Sequence, residues 1–409
     1  MISYSEAYKI IRDEFQKLKL HIEEVDLLNS LNRILAEDIF ADTNLPPFDN
    51  SAMDGYAIKF NLSRKQWKMI GEISTGNFSE VSFRNLFTLD DDSAVLIMTG
   101  SKLPANTSAV IPVEDVITEN GFVKLAEGKS IKENQHIRKK GEDLSEGVLA
   151  LGKNQLITSN KISLLGACGK ARVKVYRKLK FCVLATGDEL VDIESKISGD
   201  KIRGTNLYSI IAVVTEFNMD AVNLGFVKDD KEKIREKLSE VFNSDIDVLL
   251  TTGAVSVGKY DYLKELLVEL GTNIKFWKVN IKPGKPLVFG VIKKDDRTKF
   301  VFGLPGNPVS SYVDFMIFIK PAVQELLGIK DDKTVKAELT ESVSKNDDKR
   351  NFLRGILKFN LEKGKYFVRA AEAQSSADMT RLSNANCLIV IEEERTNPQK
   401  GEEVECIMI

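Results

Sequence analysis

The residues best suited to chemistry sit in two short turns. Ile281-Lys282-Pro283-Gly284-Lys285-Pro286 places two lysines around a Pro-Gly pair, and one apolar segment later comes Leu304-Pro305-Gly306-Asn307-Pro308-Val309-Ser310. Proline fixes φ and glycine opens backbone conformations closed to other residues, so such pairs hold a tight turn at low entropic cost and let a ligand approach the main chain. Lysine ammonium groups are compact point charges suited to an oxyanion. The second turn leads from an apolar strand, Phe300 to Leu304, into a helical pattern of Val309, Tyr312, Val313 and Met316. Asn307 is the expected N-cap and Pro308 the first helical residue. A helix start of this kind presents unpaired N–H groups and the positive end of a dipole. Either turn alone would only reverse the chain; their close succession points to a preformed anion pocket.

Predicted strand ends supply the opposite charge. They carry Thr186-Gly187-Asp188-Glu189, then Asp229-Asp230, then Thr252-Gly253-Ala254-Val255-Ser256-Val257-Gly258 with Asp261 beyond. Hard carboxylate oxygens beside a phosphate are what Mg²⁺ requires. The combination suggests a phosphorylated ligand held with a cation. Taken alone, Asp229 and Asp230 are better read as caps of the helix that follows, and Asp261 equally as a first-turn acid. Glu189 has no evident structural task, so a functional role is favoured there. Gly253 and Gly258 suit a turn as readily as a ligand.

The elements that position these residues are legible in outline. Ala7, Ile10, Ile11 and Phe15 recur at helical spacing after Ser3 or Ser5, and a second helix is expected from Leu27 to Phe40. Consecutive prolines at Pro46-Pro47 break that pattern, and short apolar runs such as Ala94 to Met98 and Ala109 to Val113 predict a β-rich insertion. A helical segment near Lys161 to Ala167 leads through the basic stretch Arg172 to Lys180 into the next unit. From Leu179 to about Leu327, strands and helices alternate, which predicts a mostly parallel sheet with a ligand crevice at the carboxyl ends of its strands. After a charged linker, Ile329 to Lys333, the stretches Val335 to Val343, Leu353 to Phe359, Tyr366 to Ala370 and Leu388 to Ile391 predict a small all-β domain, with Glu362-Lys363-Gly364-Lys365 as a hairpin turn. The expected class is multidomain α/β. Its parts are a helical and linker unit over 1–45 and 138–176, a β-rich insertion over 46–137, an α/β unit over 177–328 and a terminal β unit over 334–409.

Composition narrows the chemistry. At 409 residues the chain needs several cores, and a formal charge of −2 with a pI near 6.0 gives no basic excess for nucleic acid. Cys168, Cys182, Cys387 and Cys406 lack zinc or disulfide spacing, which fits a reducing compartment. The start, Met1 to Glu6, lacks a basic, apolar leader, and no apolar run is long enough to span a bilayer. A cytoplasmic protein without a nucleic-acid or membrane partner is expected. With only His21 and His136, Ser/His/Asp triads and multi-histidine metal sites are largely excluded. Chemistry must rest on carboxylates, lysines, hydroxyls and a hard cation.

Three blocks taken together carry a resemblance. They are Pro47-Phe48-Asp49-Asn50-Ser51-Ala52-Met53-Asp54-Gly55-Tyr56-Ala57; Thr186-Gly187-Asp188-Glu189-Leu190 with Ser256-Val257-Gly258 and Asp261; and Lys282-Pro283-Gly284-Lys285-Pro286 with Leu304-Pro305-Gly306-Asn307-Pro308. In order and over essentially the whole chain, this resembles the bacterial MoeA family of molybdopterin molybdenumtransferases, and is similar to the gephyrin E domain. The resemblance implies a central sheet like that of the molybdopterin adenylyltransferases, a C-terminal β-barrel, and a homodimer whose cleft is completed by the partner's N-terminal segment. Its implied reaction joins molybdate to adenylylated molybdopterin, with Mg²⁺, giving molybdenum cofactor and AMP. The adenylylated substrate implies a molybdopterin adenylyltransferase as a possible partner.

By that resemblance, Asp188, Glu189, Asp229 and Asp261 form the catalytic set, the last three with the metal. Asp54, Thr99, Gly253, Ser256, Gly258, Pro305, Gly306, Asn307 and Pro308 would bind nucleotide and pterin, with Asp54 and Thr99 acting across the subunit boundary. Lys282, Lys285, Arg354, Ser375 and Ser376 would receive molybdate. Arg354 can instead pair with a surface acid, the two serines can be ordinary loop residues, Asp54 can shape its turn, and Thr99 can be a strand-end hydroxyl. Ala254 replaces a second glycine usual in the family, and Thr205 replaces a serine while keeping a capping hydroxyl. Adenylyl transfer from ATP and a peptide-binding scaffold are the competing readings. The accessory segments at both ends argue against the first, and the complete acid and lysine set against the second.

Overall fold

The computed structural model describes residues 1–73, 88–253, 262–294, 297–329, 334–372 and 374–409. The first expected helix runs Tyr4–Phe15, with Ser3 at its N-cap accepting from the Glu6 N–H at 3.2 Å. It buries Ala7, Ile11 and Phe15. Phe15 stacks on Phe300 with centroids 4.0 Å apart, so this helix covers one face of the central sheet.

The helix expected from Leu27 to Phe40 does not form. A single tight helical turn, Leu27–Ser30, is followed by Asn32 at φ 61, a left-handed conformation that ends any helix. Beyond it the backbone pairs with distant chain: Leu35 N donates to Gln155 O at 2.9 Å and Ala36 N to Lys174 O at 2.9 Å. Ile34, Leu35 and Ile39 are buried, but by an extended chain. The connecting stretch expected over Arg172 to Lys180 includes strand Arg172–Tyr176, antiparallel to Ile22–Asp26. The expected helix near Lys161 is present as Ser159–Ala167.

The insertion is a six-stranded sheet in the order Ala109–Pro112, Gly55–Ile58, Ser93–Ile97, Gln66–Ile73, Phe122–Leu125, Val116–Glu119. The central sheet runs Asp220–Val227, Lys180–Thr186, Val248–Thr252, Arg297–Leu304, Val288–Lys294, Asn273–Phe276. Its first four strands are parallel and the last two antiparallel. Both faces are covered, as a parallel sheet demands. Phe181, Val183 and Ala185 enter one core with helices Thr205–Glu216 and Pro308–Asp314. Cys182 and Leu184 enter the other with helices Lys231–Phe242 and Tyr262–Glu269.

The C-terminal strands close a five-stranded barrel in the order Arg350–Asn360, Lys365–Ala370, Thr334–Leu339, Glu403–Met408, Cys387–Ile391 and back to the first. Gly364, at φ 62, turns the hairpin where it was expected. Strand Ile281–Lys282 adds in parallel beside Arg350 and Asn351, which ties the lysine turn to the barrel rim. Of the expected linker, 330–333 lies outside the described residues.

Candidate active site

The carboxyl ends of neighbouring parallel strands bring the acids together. Asp188 and Glu189 follow strand Lys180–Thr186, and Asp229 follows Asp220–Val227 beside it. The Asp229 N–H donates to Asp188 Oδ1 at 3.3 Å. Burial first, and then the charges of Asp188 and Glu189, push the Asp229 carboxyl above its ordinary range. Asp230 does the structural work that either acid of the pair could have done. It caps helix Lys231–Phe242, accepting from Glu232 N at 3.0 Å and Lys233 N at 3.1 Å.

A cavity of about 490 Å³ opens at this edge, lined by Thr186, Glu189, Gly253, Gly306, Asn307 and Pro308 among others. Gly253 sits at φ +104, and a Cβ there would stand 2.2 Å from the Thr186 carbonyl oxygen, so only glycine fits. The two strand-end turns approach closely: a Cβ on Gly306 would lie 3.8 Å from Gly253 Cα. Buried Asn206 fixes the second turn by donating from Nδ2 to Gly306 O at 2.6 Å, and Pro305 is buried behind it. Asn307 holds the N-cap position as expected, but its side chain makes no capping hydrogen bond. It is exposed on the cavity wall instead.

The barrel contributes to the same cavity through the loop before helix Met379–Ser383. Ala377 and Met379 line it, and Val309 N, at the helix start, donates to Ser376 O at 3.2 Å. Ser375 and Ser376 therefore stand at the site's edge. Gln374 clamps the Arg354 backbone, accepting from Arg354 N at 3.0 Å and donating to Arg354 O at 3.1 Å. Arg354 itself is 1% exposed. Burial lowers its affinity for a proton and the charge of nearby Asp378 partly offsets that.

Lys282 and Lys285 are exposed on their turn and do not line the cavity among its described residues. Lys282 Nζ lies 3.1 Å from Asp347 Oδ2 of the barrel domain. Gly284, between the lysines, is buried at φ +97, and a Cβ there would stand 1.9 Å from Asp314 Oδ1. Asp314 ends helix Pro308–Asp314, which begins at the other turn. It is fully buried with neither carboxyl oxygen hydrogen-bonded among the described residues, and burial drives its carboxyl far above the usual range. The two turns named from the sequence are thus joined through a buried acid. Sequence reasoning missed Asp314 and Asp347; for Asp314 the signal was a lone charge inside the apolar run Val309 to Ile319.

Asp54 and Thr99, named separately from the sequence, form one unit. Asp54 Oδ1 accepts from Thr99 N and from Thr99 Oγ1, each at 2.7 Å, and these bonds lower the Asp54 carboxyl. Ala254, Ser256, Gly258 and Asp261 lie outside the described residues. Among the described residues no group of three or more His, Cys, Asp or Glu side chains is set to hold a metal ion. A larger hollow of about 600 Å³ lies at the opposite end of the strands, beside Arg177 and Lys180. Arg177 and Lys180 are already paired with Asp247 and Asp245, so the acid rim is the better candidate.

Fold and site together define a multidomain protein with a strand-end crevice walled on one side by its own C-terminal barrel. Residues 2–169 match the MoeA N-terminal region (domain I and II), residues 182–325 a probable molybdopterin binding domain, and residues 336–409 the MoeA C-terminal region (domain IV). A molybdopterin molybdenumtransferase of Haemophilus influenzae is 36% identical over 386 residues, covering 93% of this chain and 92% of that one. Another, of Bacillus subtilis, is 32% identical over 95% of this chain and 90% of that one. Gephyrin of Dictyostelium discoideum is 30% identical over all of this chain and 62% of its own length. The crystal structure of a molybdopterin biosynthesis MoeA protein from Pyrococcus horikoshii superposes with a TM-score of 0.83 at 27% identity, covering 100% of both chains. The chain belongs to the MoeA family of molybdopterin molybdenumtransferases.

Proposed function

We propose that this enzyme inserts molybdenum from molybdate into adenylylated molybdopterin, releasing AMP and forming molybdenum cofactor. Molybdenum insertion follows from the family; the cavity that joins Glu189 to the strand-end glycine and the Pro305-Gly306-Asn307-Pro308 turn carries the assignment of the site. The phosphates of the ligand fit against Gly253 and Gly306, where the backbone is bare. Asn307, with no capping duty, is available to orient the nucleotide.

Burial, and after it repulsion from Asp188 and Glu189, raises the Asp229 carboxyl, and the repulsive part is what a bound divalent cation would relieve. Glu189 and Asp229, with Asp261, would hold Mg²⁺, which when bound supplies charge neutralisation for cleavage of the pyrophosphate link. Asp188 receives the Asp229 N–H and fixes the turn between the two strands. Lys282 and Lys285 attract the molybdate dianion, with Arg354, Ser375 and Ser376 on the barrel side. A cytoplasmic homodimer completes the reading, with Asp54 and Thr99 serving the partner's cleft, and an adenylyltransferase supplies the adenylylated substrate.

The test is incubation with adenylylated molybdopterin, molybdate and Mg²⁺. Cofactor is read by reconstitution of a metal-free molybdoenzyme and AMP by chromatography. Glu189→Gln is expected to lose both products by at least about 100-fold, the scale of losing an electrostatic contact made in the transition state. Full activity in that variant would refute the site.

A further inference from the structure

Lys282 is not idle in the resting protein. Its ammonium is 3.1 Å from Asp347 Oδ2, with the lysine side chain 57% exposed and the aspartate side chain 22% exposed. The carboxylate is the better anchored partner. Its other oxygen, Oδ1, accepts from Asn351 Nδ2 at 2.8 Å and from Lys349 N at 3.3 Å. The backbone beneath it is pinned as well. Lys345, only 3% exposed, donates from Nζ to Asp347 O at 2.9 Å and to Glu393 O at 2.8 Å. Across the gap, Asn280 Nδ2 donates to Asp348 O at 2.9 Å, and Lys282 pairs in register with Asn351. A carboxylate pinned by its neighbours therefore holds an exposed ammonium.

We propose that Asp347 is a positioning residue that acts as an internal counter-ion for Lys282, so that a tetrahedral dianion reaches the lysine only by displacing this carboxylate. The proposal rests on the reading of Lys282 as an oxyanion-binding lysine. Its consequence is a raised threshold for oxyanion capture. A singly charged or weakly held anion does not compete with a tethered carboxylate, whereas a dianion that also reaches Lys285 does. Burial tends to raise the Asp347 carboxyl, but hydrogen bonds from Asn351 and Lys282 outweigh it, and the group stays ionised and competitive.

Removing the competitor must tighten binding, which is the opposite of what loss of a merely structural residue does. With molybdate as the probe, titration calorimetry on the whole enzyme is expected to give Asp347→Asn and Asp347→Ser dissociation constants lower than wild type by roughly three- to five-fold, the scale of a partly exposed ion pair. KM for molybdate falls with them while kcat holds. Lys282→Ala binds molybdate more weakly, and adding Asp347→Asn to it changes nothing further. All binding is measured below the melting transition of every variant. If Lys282→Ala leaves molybdate affinity unchanged, the oxyanion reading itself fails. If Lys282→Ala weakens binding but neither Asp347 variant tightens it, the counter-ion role is overturned and the reading of the site stands.

Discussion

Gly284→Ala tests whether the lysine turn is braced by a buried acid. At φ +97 an alanine is held in a conformation that costs an L-residue about 1–2 kcal/mol. Its methyl would also stand 1.9 Å from Asp314 Oδ1 and 2.7 Å from Asp314 Cγ, far inside the 3.4 Å where ordinary contact begins. Asp314 is fully buried and cannot swing into solvent, so the turn must move, at an overpacking cost of about 1–3 kcal/mol. The expected loss is about 2–5 kcal/mol in all. Urea denaturation measures it as a lower midpoint with an unchanged slope. The two parts separate in a double-mutant cycle. In an Asp314→Ala background the same glycine substitution loses its clash and costs only the backbone part, about 1–2 kcal/mol. If Gly284→Ala costs as much without the carboxyl as with it, the turn is not held against Asp314 and the account of its geometry is wrong.

The acids at the strand ends separate by role. Asp230→Ala removes a cap that accepts two backbone N–H groups and is expected to lower stability by about 1 kcal/mol, while cofactor formation at saturating substrate stays at the wild-type rate. Asp229→Asn behaves differently with pH. Because the folded-state carboxyl is raised, its contribution to stability is complete below the ordinary carboxylate range and is lost as pH rises through the raised value. Melting curves of wild type and Asp229→Asn, without divalent cation, should therefore agree in acid and diverge toward neutrality with the variant the more stable; parallel curves would show that neither burial nor the neighbouring acids raise this carboxyl. The proposed sharing of the cleft between subunits has its own test. Asp54→Ala and Glu189→Gln subunits, each inactive alone, are expected to regain activity when exchanged into mixed dimers, since one cleft then carries both lesions and the other none. No recovery in verified mixed dimers would place Asp54 in its own subunit's site.

What the sequence revealed, and what it hid, follows from how local each signal is. The Pro-Gly turns were legible because φ restrictions act within one or two residues, and the parallel strands because burial on both faces leaves an unbroken apolar run such as Phe181 to Ala185. The helix expected from Leu27 to Phe40 failed because apolar spacing says only that side chains are buried. It was Asn32 and the pairing of Leu35 and Ala36 with residues more than a hundred positions away that decided the conformation. Strand Glu403–Met408 was overlooked although Val404 and Cys406 point inward between exposed Glu403 and Glu405, because its partners, Thr334–Leu339 and Cys387–Ile391, are remote. The partnership of Asp54 with Thr99 joins the ends of two strands that pair antiparallel, which neither sequence block announces. Asp314 and Asp347 were hidden for a different reason. A carboxyl's letter is the same whether it is buried without a partner among the described residues, as in Asp314, or held by hydrogen bonds and an ion pair, as in Asp347, and only packing distinguishes them.

That packing also fixes how far the cationic turn can move from the acid rim. Two of the barrel's contacts with the α/β unit involve these turns: strand Ile281–Lys282 is paired with Arg350 and Asn351, and Ser376 O accepts from Val309 N at the first turn of helix Pro308–Asp314. The far end of that short helix carries Asp314, which meets Gly284 between the lysines. The two contacts are therefore linked through one helical segment and one tight turn packed against its end. A shift of the barrel at either contact is passed to the lysine turn, while Glu189 and Asp229 follow strands that pair with no barrel strand among the described residues. The separation between the charge that would receive molybdate and the charges that would hold the nucleotide is thus set by barrel docking. Substitutions at the Ser376 to Val309 contact should alter molybdate KM before they alter the binding of AMP.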